Sequence, residues 1–535
     1  MPLSELVPAL WAWRWHILGA FGVYWALWIV YARTLHPYAR YPGPFLASVS
    51  RSWMVMEVVR GRAHQTQAAL HKKHGPIVRI CPNEVVISDP ACLKDIYSIN
   101  SGFTKSDFYV PWRATFGMYL LTFPERLLIQ TLLLKLSSLL ARFPDHFTSM
   151  DEKVHAQRRK IVSSIYSMSS IVKSEPFIDT CIDLFMTRMG EFAERQQVID
   201  LAQWAQWYAF DVIGELYFSS MFGFMKQRQD VQGYIAALDT LLPVLCAASV
   251  MPSYSRGPFL ASGSLFRSVR KALRALKHIE LAAASCVRER VESDNKEGSS
   301  REDILSRLLA ICKSKGEQQN FNVTDVQVEV FTGLFAGSDT TAAALSSILY
   351  YLMKNPNVYQ KLSLEIRNAA AAGKLSSPRI KYAEAIQLPY LVACCKEGMR
   401  MHPSVGLMIP RVVPPGGCQI GGQWFPGGLR VGMNAAVIHF DKGVFGADAD
   451  EYNPDRWFRE NAADMDRHMF QFGGGSRTCI GKNISLCEIH KLVPELLRSY
   501  DIRLADVADG FKTVNHWFNK PISLLVRVRK YELGV

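Results

Sequence analysis

Phe472-Gly473-Gly474-Gly475-Ser476-Arg477-Thr478-Cys479-Ile480-Gly481 is the stretch on which the reading of this chain turns. Glycines let the backbone come close to a flat group and take dihedral angles barred to other residues. The loop precedes a helix predicted to begin near Lys482, which places Cys479 close to a helix N-terminus, where a thiolate is favoured. Arg477 offers a rigid fork of donors that suits a carboxylate. Taken as a bare pattern, the stretch is also compatible with a Gly-rich turn around a buried free cysteine. A phosphate loop is excluded, because no Gly-Lys-Ser/Thr follows the glycines.

Three other constellations stand outside this loop. Ala336-Gly337-Ser338-Asp339-Thr340-Thr341 interrupts an apolar helical pattern running from Val323 to Lys354. An acid and a hydroxyl inside such a helix need a partner or a purpose, and Ser or Thr there can back-bond to carbonyls and bend the helix. Glu397 and Arg400 lie one helical turn apart on a predicted helix over 389–401, and Asn453-Pro454-Asp455-Arg456-Trp457 adds a second arginine. His155 and Arg159 stand four apart in a basic run that would otherwise read as a solvated helix face.

At every specified position, F-x-x-G-x-R-x-C-x-G resembles the haem-binding signature of the cytochrome P450 family. The other constellations follow in that family's order, and the resemblance covers roughly residues 40–530. Residues 207–215 and the N-terminus look like fungal microsomal members of the pisatin-demethylase-like group. The resemblance implies a mainly α fold with a small β subdomain, and haem b held through iron by Cys479. A thiolate on haem iron favours O–O cleavage. By the same resemblance, Arg477, Arg159, His155 and Arg411 would contact the haem propionates, and Phe472 would line the cofactor. Asp339 would relay protons and Thr340 would hold water at the site of oxygen activation. Glu397, Arg400 and Arg456 would form a structural network behind the cysteine.

The implied activity is that of a monooxygenase. It would insert one atom of O2 into a hydrophobic small molecule, as expected in fungal secondary metabolism. NADPH would serve through a separate NADPH–cytochrome P450 reductase, since no flavin or nicotinamide motif is visible. Phe331, Leu334, Trp112, Leu407, Met408, Trp517 and Phe518 are candidates for the pocket lining, and ordinary core packing explains each equally well. Two alternatives remain. One is a family member catalysing ring expansion, coupling, desaturation or detoxification. The other is an inactive haem-binding membrane protein, against which intact Cys479, Asp339 and Thr340 argue.

Farther out, the 535-residue chain is 49% hydrophobic, ample for a large core. No long linker or tandem repeat divides it. The net charge of +13 is spread along the sequence without a dense basic arm. This argues against nucleic acid and fits a membrane surface and an acidic redox partner. Eleven cysteines without paired spacing do not form a disulfide framework, which favours a reducing compartment.

Trp15 to Ala32 contains no charged residue, and a helix of this length nearly spans a hydrocarbon core. Tryptophans flank it, and Arg33 and Arg40 follow it, as expected for a single-pass endoplasmic-reticulum anchor with a cytosolic body. A cleaved signal peptide would have a shorter apolar run. The expected division is an anchor over 1–36 and a catalytic domain over 37–535. Within the latter, the leucine-rich stretch 118–141 reads as an anomalous insertion. It packs on the surface or dips into the membrane, or it is an unspliced intron. A Gly-Met-Tyr junction can carry a GTATGT start and Leu140-Ala141 a TAG acceptor.

Overall fold

The structure, a computed structural model, describes residues 13–113, 146–296, 301–508 and 510–531. The stretch 118–141 lies outside the described residues. Helix α1 (Arg14–Val30) buries none of its side chains. With the π-helical turn Tyr31–Leu35 it forms a 22-residue segment long and apolar enough to cross a membrane. It is joined to the body by packed contacts. The Trp28 indole donates to the Val49 carbonyl in α2 (Phe45–Val49) at 2.7 Å, and Ala32 and Tyr38 are fully buried. Helix α3 (Ser52–Val59) follows.

The β part begins with a hairpin that turns at Pro82-Asn83. β1 (Ile77–Cys81) and β2 (Glu84–Ile87) pair antiparallel with Val78 opposite Val86. The buried Arg79 guanidinium donates to the Ala32 and Pro82 carbonyls, fastening the π-helical turn to this hairpin. β3 (Thr104–Lys105) comes next. In the helical part, α4 (Glu152–Val162), α5 (Glu175–Arg195), β4 (Val198–Asp200), α6 (Leu201–Tyr217), α7 (Tyr234–Val250) and α8 (Arg267–Lys296) precede the central helix α9 (Val323–Lys354).

Local chemistry sets the limits of α9. The Asn322 side chain accepts from the Thr324 and Asp325 backbone N–H groups while Asp325 accepts in return from Asn322, a capping box. Pro356 bars its continuation. Helix α6 is apolar nearly all round and almost wholly buried, as expected of a core helix. It packs along α9. A Cβ at Gly337 would stand 2.6 Å from Ile213 Cδ1, and one at Gly333 2.7 Å from the Tyr217 ring.

Helix α10 (Pro389–Met401) is followed by β5 (Arg411–Val412) and β6 (Arg430–Gly432). These complete a five-stranded sheet in the order β1-β2-β6-β5-β3, in which only β2 and β6 run parallel. Helix α11 (Lys482–Ser499) leads to β7 (Tyr500–Leu504), β8 (Thr513–His516), β9 (Phe518–Pro521) and β10 (Leu525–Lys530). β8 and β9 form a hairpin, and β10 pairs with both β4 and β7. The whole is the expected mainly α fold with a small β part.

Candidate active site

The Cys loop is threaded through a narrow gap. Gly475 has φ of +60°, and a Cβ there would fall 1.9 Å from the Tyr97 carbonyl oxygen, so no other residue fits. The Cys479 N–H donates to the Phe472 carbonyl at 2.8 Å, closing the loop. The backbone N–H groups of Gly481 and Lys482, at the start of α11, face the Cys479 sulfur and act to lower its pKa.

Cys479 is exposed by surface area, yet its thiol is pushed above its ordinary value by burial. The two statements are reconciled if the side chain faces an internal space enclosed by protein rather than bulk water. Arg159, Lys482 and the two N–H donors pull in the opposite direction and favour the thiolate. All eleven cysteines are free.

Cations gather on one side of this space. Arg477, Arg159 and Lys105 all act on His155, and Arg411 acts on Arg477. Burial and those cations push the His155 imidazole down to about 3, so it is neutral. Its buried Nδ1 has no hydrogen-bond partner. Arg159 makes no side-chain hydrogen bond or ion pair among the described residues. Among the described residues the buried Arg411 makes no ion pair; it donates to the Tyr109 hydroxyl at 3.3 Å and to its neighbour's carbonyl, and lies over the Tyr97 ring. Arg477 forks onto Glu152 in the first turn of α4, at 2.7 and 3.1 Å. Neither Glu152 nor Lys105 belongs to a motif quoted from the sequence.

Opposite lies the middle of α9. Ala336 is exposed and Thr340 half-buried on a helix whose neighbours Ser338, Asp339 and Thr341 are buried, so one short face looks into open space. The Thr340 hydroxyl donates to the Ala336 carbonyl at 2.7 Å. Asp339 accepts from Gln206 Nε2 of α6 at 2.5 Å through Oδ1, while its buried Oδ2 has no partner. Gln206 was not anticipated. The Thr341 hydroxyl donates to Ser485 at 3.2 Å, tying α9 to α11.

Glu397, Arg400 and Arg456 lie together with side chains fully buried. Arg400 donates two bonds to Glu397 at 2.8 and 3.0 Å, and Arg456 donates one at 2.8 Å. The Trp457 indole and the Asn453 N–H complete the carboxylate's shell, each at 3.0 Å. Arg400 also donates to the His439 carbonyl, and His439 Nε2 accepts from the Phe470 N–H at 2.8 Å, two residues before the Cys loop. Of the pocket-lining candidates, Trp517 lies near Trp112 and Phe108 with tilted rings, and Trp112, Trp517, Phe331, Leu334, Leu407 and Met408 are all buried in one core cluster.

No group of three or more His, Cys, Asp or Glu side chains is placed to hold a metal ion among the described residues. A metal at Cys479 must therefore arrive with most of its own ligands. Arg159 and Arg411 beside it make no ion pair among the described residues, which fits an anionic carrier.

The cytochrome P450 family model matches residues 141–533. The chain is 41% identical to the cytochrome P450 monooxygenase gsfF of Penicillium aethiopicum over 514 residues, 96% of this chain and 97% of that protein. It is 36% identical to the cytochrome P450 monooxygenase cicH of Emericella nidulans, over 91% of this chain and 93% of that one. A pisatin demethylase of Fusarium vanettenii is 33% identical, over 92% and 89%. With its thiol loop, its cation-rich flank and its central helix in one molecule, the chain belongs to the cytochrome P450 family, as a haem-iron monooxygenase.

Proposed function

We propose that Cys479 is the axial iron ligand of a membrane-anchored haem-thiolate monooxygenase acting on an apolar small molecule in fungal secondary metabolism. The observation that carries this reading is the pairing of one sulfur, faced by two backbone N–H groups, with Arg159, Arg411 and Arg477, of which only Arg477 makes an ion pair, to Glu152, among the described residues. Like charges so placed repel one another, and the two propionates of a haem would supply the missing counter-charge.

Bound haem supplies reductive activation of dioxygen, with one oxygen atom entering the substrate and the other leaving as water. The chain's own residues do the rest. Gly481 and Lys482 N–H groups fix the sulfur and stabilise its negative charge. Arg159, Arg411 and Arg477, with neutral His155, hold the carboxylates, and Phe472 closes one side of the loop. The orphaned Oδ2 of Asp339 accepts a proton and passes it toward Thr340, whose hydroxyl oxygen keeps lone pairs free to hold water. Glu397, Arg400 and Arg456 are structural.

Electrons come from a separate NADPH–cytochrome P450 reductase, an acidic partner attracted by a chain of net charge +13. We place the anchor, residues 1–36, in the endoplasmic reticulum membrane with the catalytic domain, 37–535, in the cytosol. The stretch 118–141 is treated as an insertion, and the family match begins at its last residue. Sequencing the mature transcript decides whether it is translated.

The test is spectroscopic. Reduced protein under carbon monoxide is expected to give the red-shifted Soret band of a thiolate ligand. Cys479→Ala is expected to lose it, and a band that survives overturns the assignment. Thr340→Ala is expected to keep haem but divert NADPH from product into peroxide; unchanged coupling removes Thr340 from the proton path.

A further inference from the structure

Two buried phenols and a carboxylate form a hydrogen-bonded chain beside the Cys loop. The Tyr217 hydroxyl, at the end of α6, donates to the Tyr166 hydroxyl at 3.2 Å. Tyr166 in turn donates to Glu329 Oε2, near the start of α9, at 3.5 Å. His146 Nδ1 stands 3.0 Å from the other oxygen, Glu329 Oε1. Tyr166, Tyr217 and Glu329 are all buried. The two phenol O–H groups thus point the same way, toward one carboxylate.

Both ends of the chain are tied to the segment that carries Cys479. Asn483 Nδ2, in the first turn of α11, donates to the Tyr166 carbonyl at 2.8 Å. Arg477 Nη1 donates to the His146 carbonyl at 3.4 Å. The Tyr217 ring is packed on α9, where a Cβ at Gly333 would stand 2.7 Å from it. Gly333 lies one helical turn after Glu329, on the same face. Burial and the neighbouring carboxylate raise both phenols above their ordinary value, so neither ionises by itself. A phenol in that state can give up an electron only if its proton leaves with it, because an isolated charge in an apolar interior is costly. Glu329 stands where that proton has to go.

We propose that Tyr166 and Tyr217 form an electron-donating pair that quenches the oxidised haem centre when no substrate is present to take the oxygen, with Glu329 as the proton acceptor. In the step, one electron leaves Tyr166 for the haem centre, which is reduced by one, and the phenol proton passes to the Glu329 carboxylate. The products are a neutral tyrosyl radical and a neutral carboxylic acid. Transfer of the Tyr217 hydroxyl hydrogen to Tyr166 moves the radical on to Tyr217. One electron from the reductase then restores the phenol, and the proton returns from Glu329. The oxidant is the dioxygen-derived state of the haem that monooxygenase chemistry itself supplies. The inference rests on the reading of Cys479 as the haem ligand.

The test uses the full-length haem-loaded protein without substrate, mixed with peracetic acid and freeze-quenched for electron paramagnetic resonance. Wild type is expected to give a radical signal that narrows when the protein is made with ring-deuterated tyrosine. Tyr166→Phe and Tyr217→Phe each remove a hydroxyl and keep the ring, and the double variant is expected to lose the signal several-fold. Glu329→Gln keeps the shape of the side chain without a basic oxygen and is expected to slow radical formation several-fold. A second readout is the bleaching of haem during substrate-free turnover with NADPH and reductase, expected to be several-fold faster in the double variant.

The thiolate-type band of the reduced carbon monoxide complex, recorded first on every protein, separates the two readings. If wild type lacks that band, the reading of Cys479 fails and the inference falls with it. With the band present, a wild type that yields no tyrosyl signal overturns the inference alone. A signal of full strength in the double variant does so too, since the radical then sits on another tyrosine, as does bleaching at the wild-type rate. If the double variant takes up no haem, the two single variants and Glu329→Gln decide: radical formation at the wild-type rate and yield in all three overturns the inference.

Discussion

Arg456 shows how little a single buried side chain can be spared here. Its guanidinium donates to Glu397, to the Phe445 and Asp448 carbonyls and to the Asp448 carboxylate, with no exposure to solvent. Breaking a buried ion pair by removing one partner costs about 3–5 kcal/mol, because the remaining groups stay buried and unpaired. Arg456→Ala is therefore expected to lower the unfolding free energy by that amount, seen as a lower denaturant midpoint, and to reduce haem retention. Lysine is not expected to rescue it, since a point charge cannot reproduce the fork. A variant with wild-type stability would show that the network is dispensable.

At the scale of elements, the seam between α6 and α9 is set by two glycines one turn apart. Alanine in place of glycine within a helix gains up to about 1 kcal/mol of propensity. Overpacking costs about 1–3 kcal/mol when the neighbour cannot yield. At Gly337 the neighbour is the flexible Cδ1 end of Ile213; at Gly333 three atoms of the rigid Tyr217 ring stand within 3.1 Å. Gly337→Ala is thus expected to be near neutral, and Gly333→Ala to lower the denaturant midpoint. The reverse order would contradict the packing argument.

Much of this level was legible in the sequence. The limits of α9 are written in Asn322 and Pro356, and the β1–β2 turn in Pro82-Asn83, because caps and turns are local chemistry. The loop at Cys479 was legible for the same reason. What could not be read was pairing across the chain. Arg477 meets Glu152 over 325 positions, and Gln206 meets Asp339 over 133. Nothing in either neighbourhood names its partner. Only Glu152 left a trace, one helical turn before His155 on the same face.

At the scale of the whole molecule, acid stability is governed by opposing buried groups. Burial pushes His439 down to about 3 and His402 to about 4, so both are neutral in the fold. His439 Nε2 accepts from the Phe470 N–H while Nδ1 faces the Arg400 carbonyl at 3.1 Å, an arrangement a doubly protonated ring cannot keep. An unfolded histidine titrates near ~6.5. Above that pH neither state binds the proton and the contribution is fully present. Below it the unfolded chain takes up a proton that the folded chain refuses, and stability falls by about 1.4 kcal/mol per pH unit for each such histidine.

Glu488 acts in the opposite sense. Burial raises its carboxyl well above the ordinary value, so the folded state is favoured as pH falls, and a bare stability profile mixes the two effects. A difference between proteins isolates one of them. His439→Gln can accept from Phe470 and donate to Arg400 but cannot titrate. Wild type is expected to exceed this variant by a constant margin above pH ~6.5. As pH falls below that point the margin should shrink, by up to about 1.4 kcal/mol per unit, in urea midpoints taken at successive pH values. A margin that stays constant on the acid side would mean that His439 is already protonated in the fold, or accessible to water, and that the hydrogen bond joining the Glu397 network to the Cys loop is not built as described.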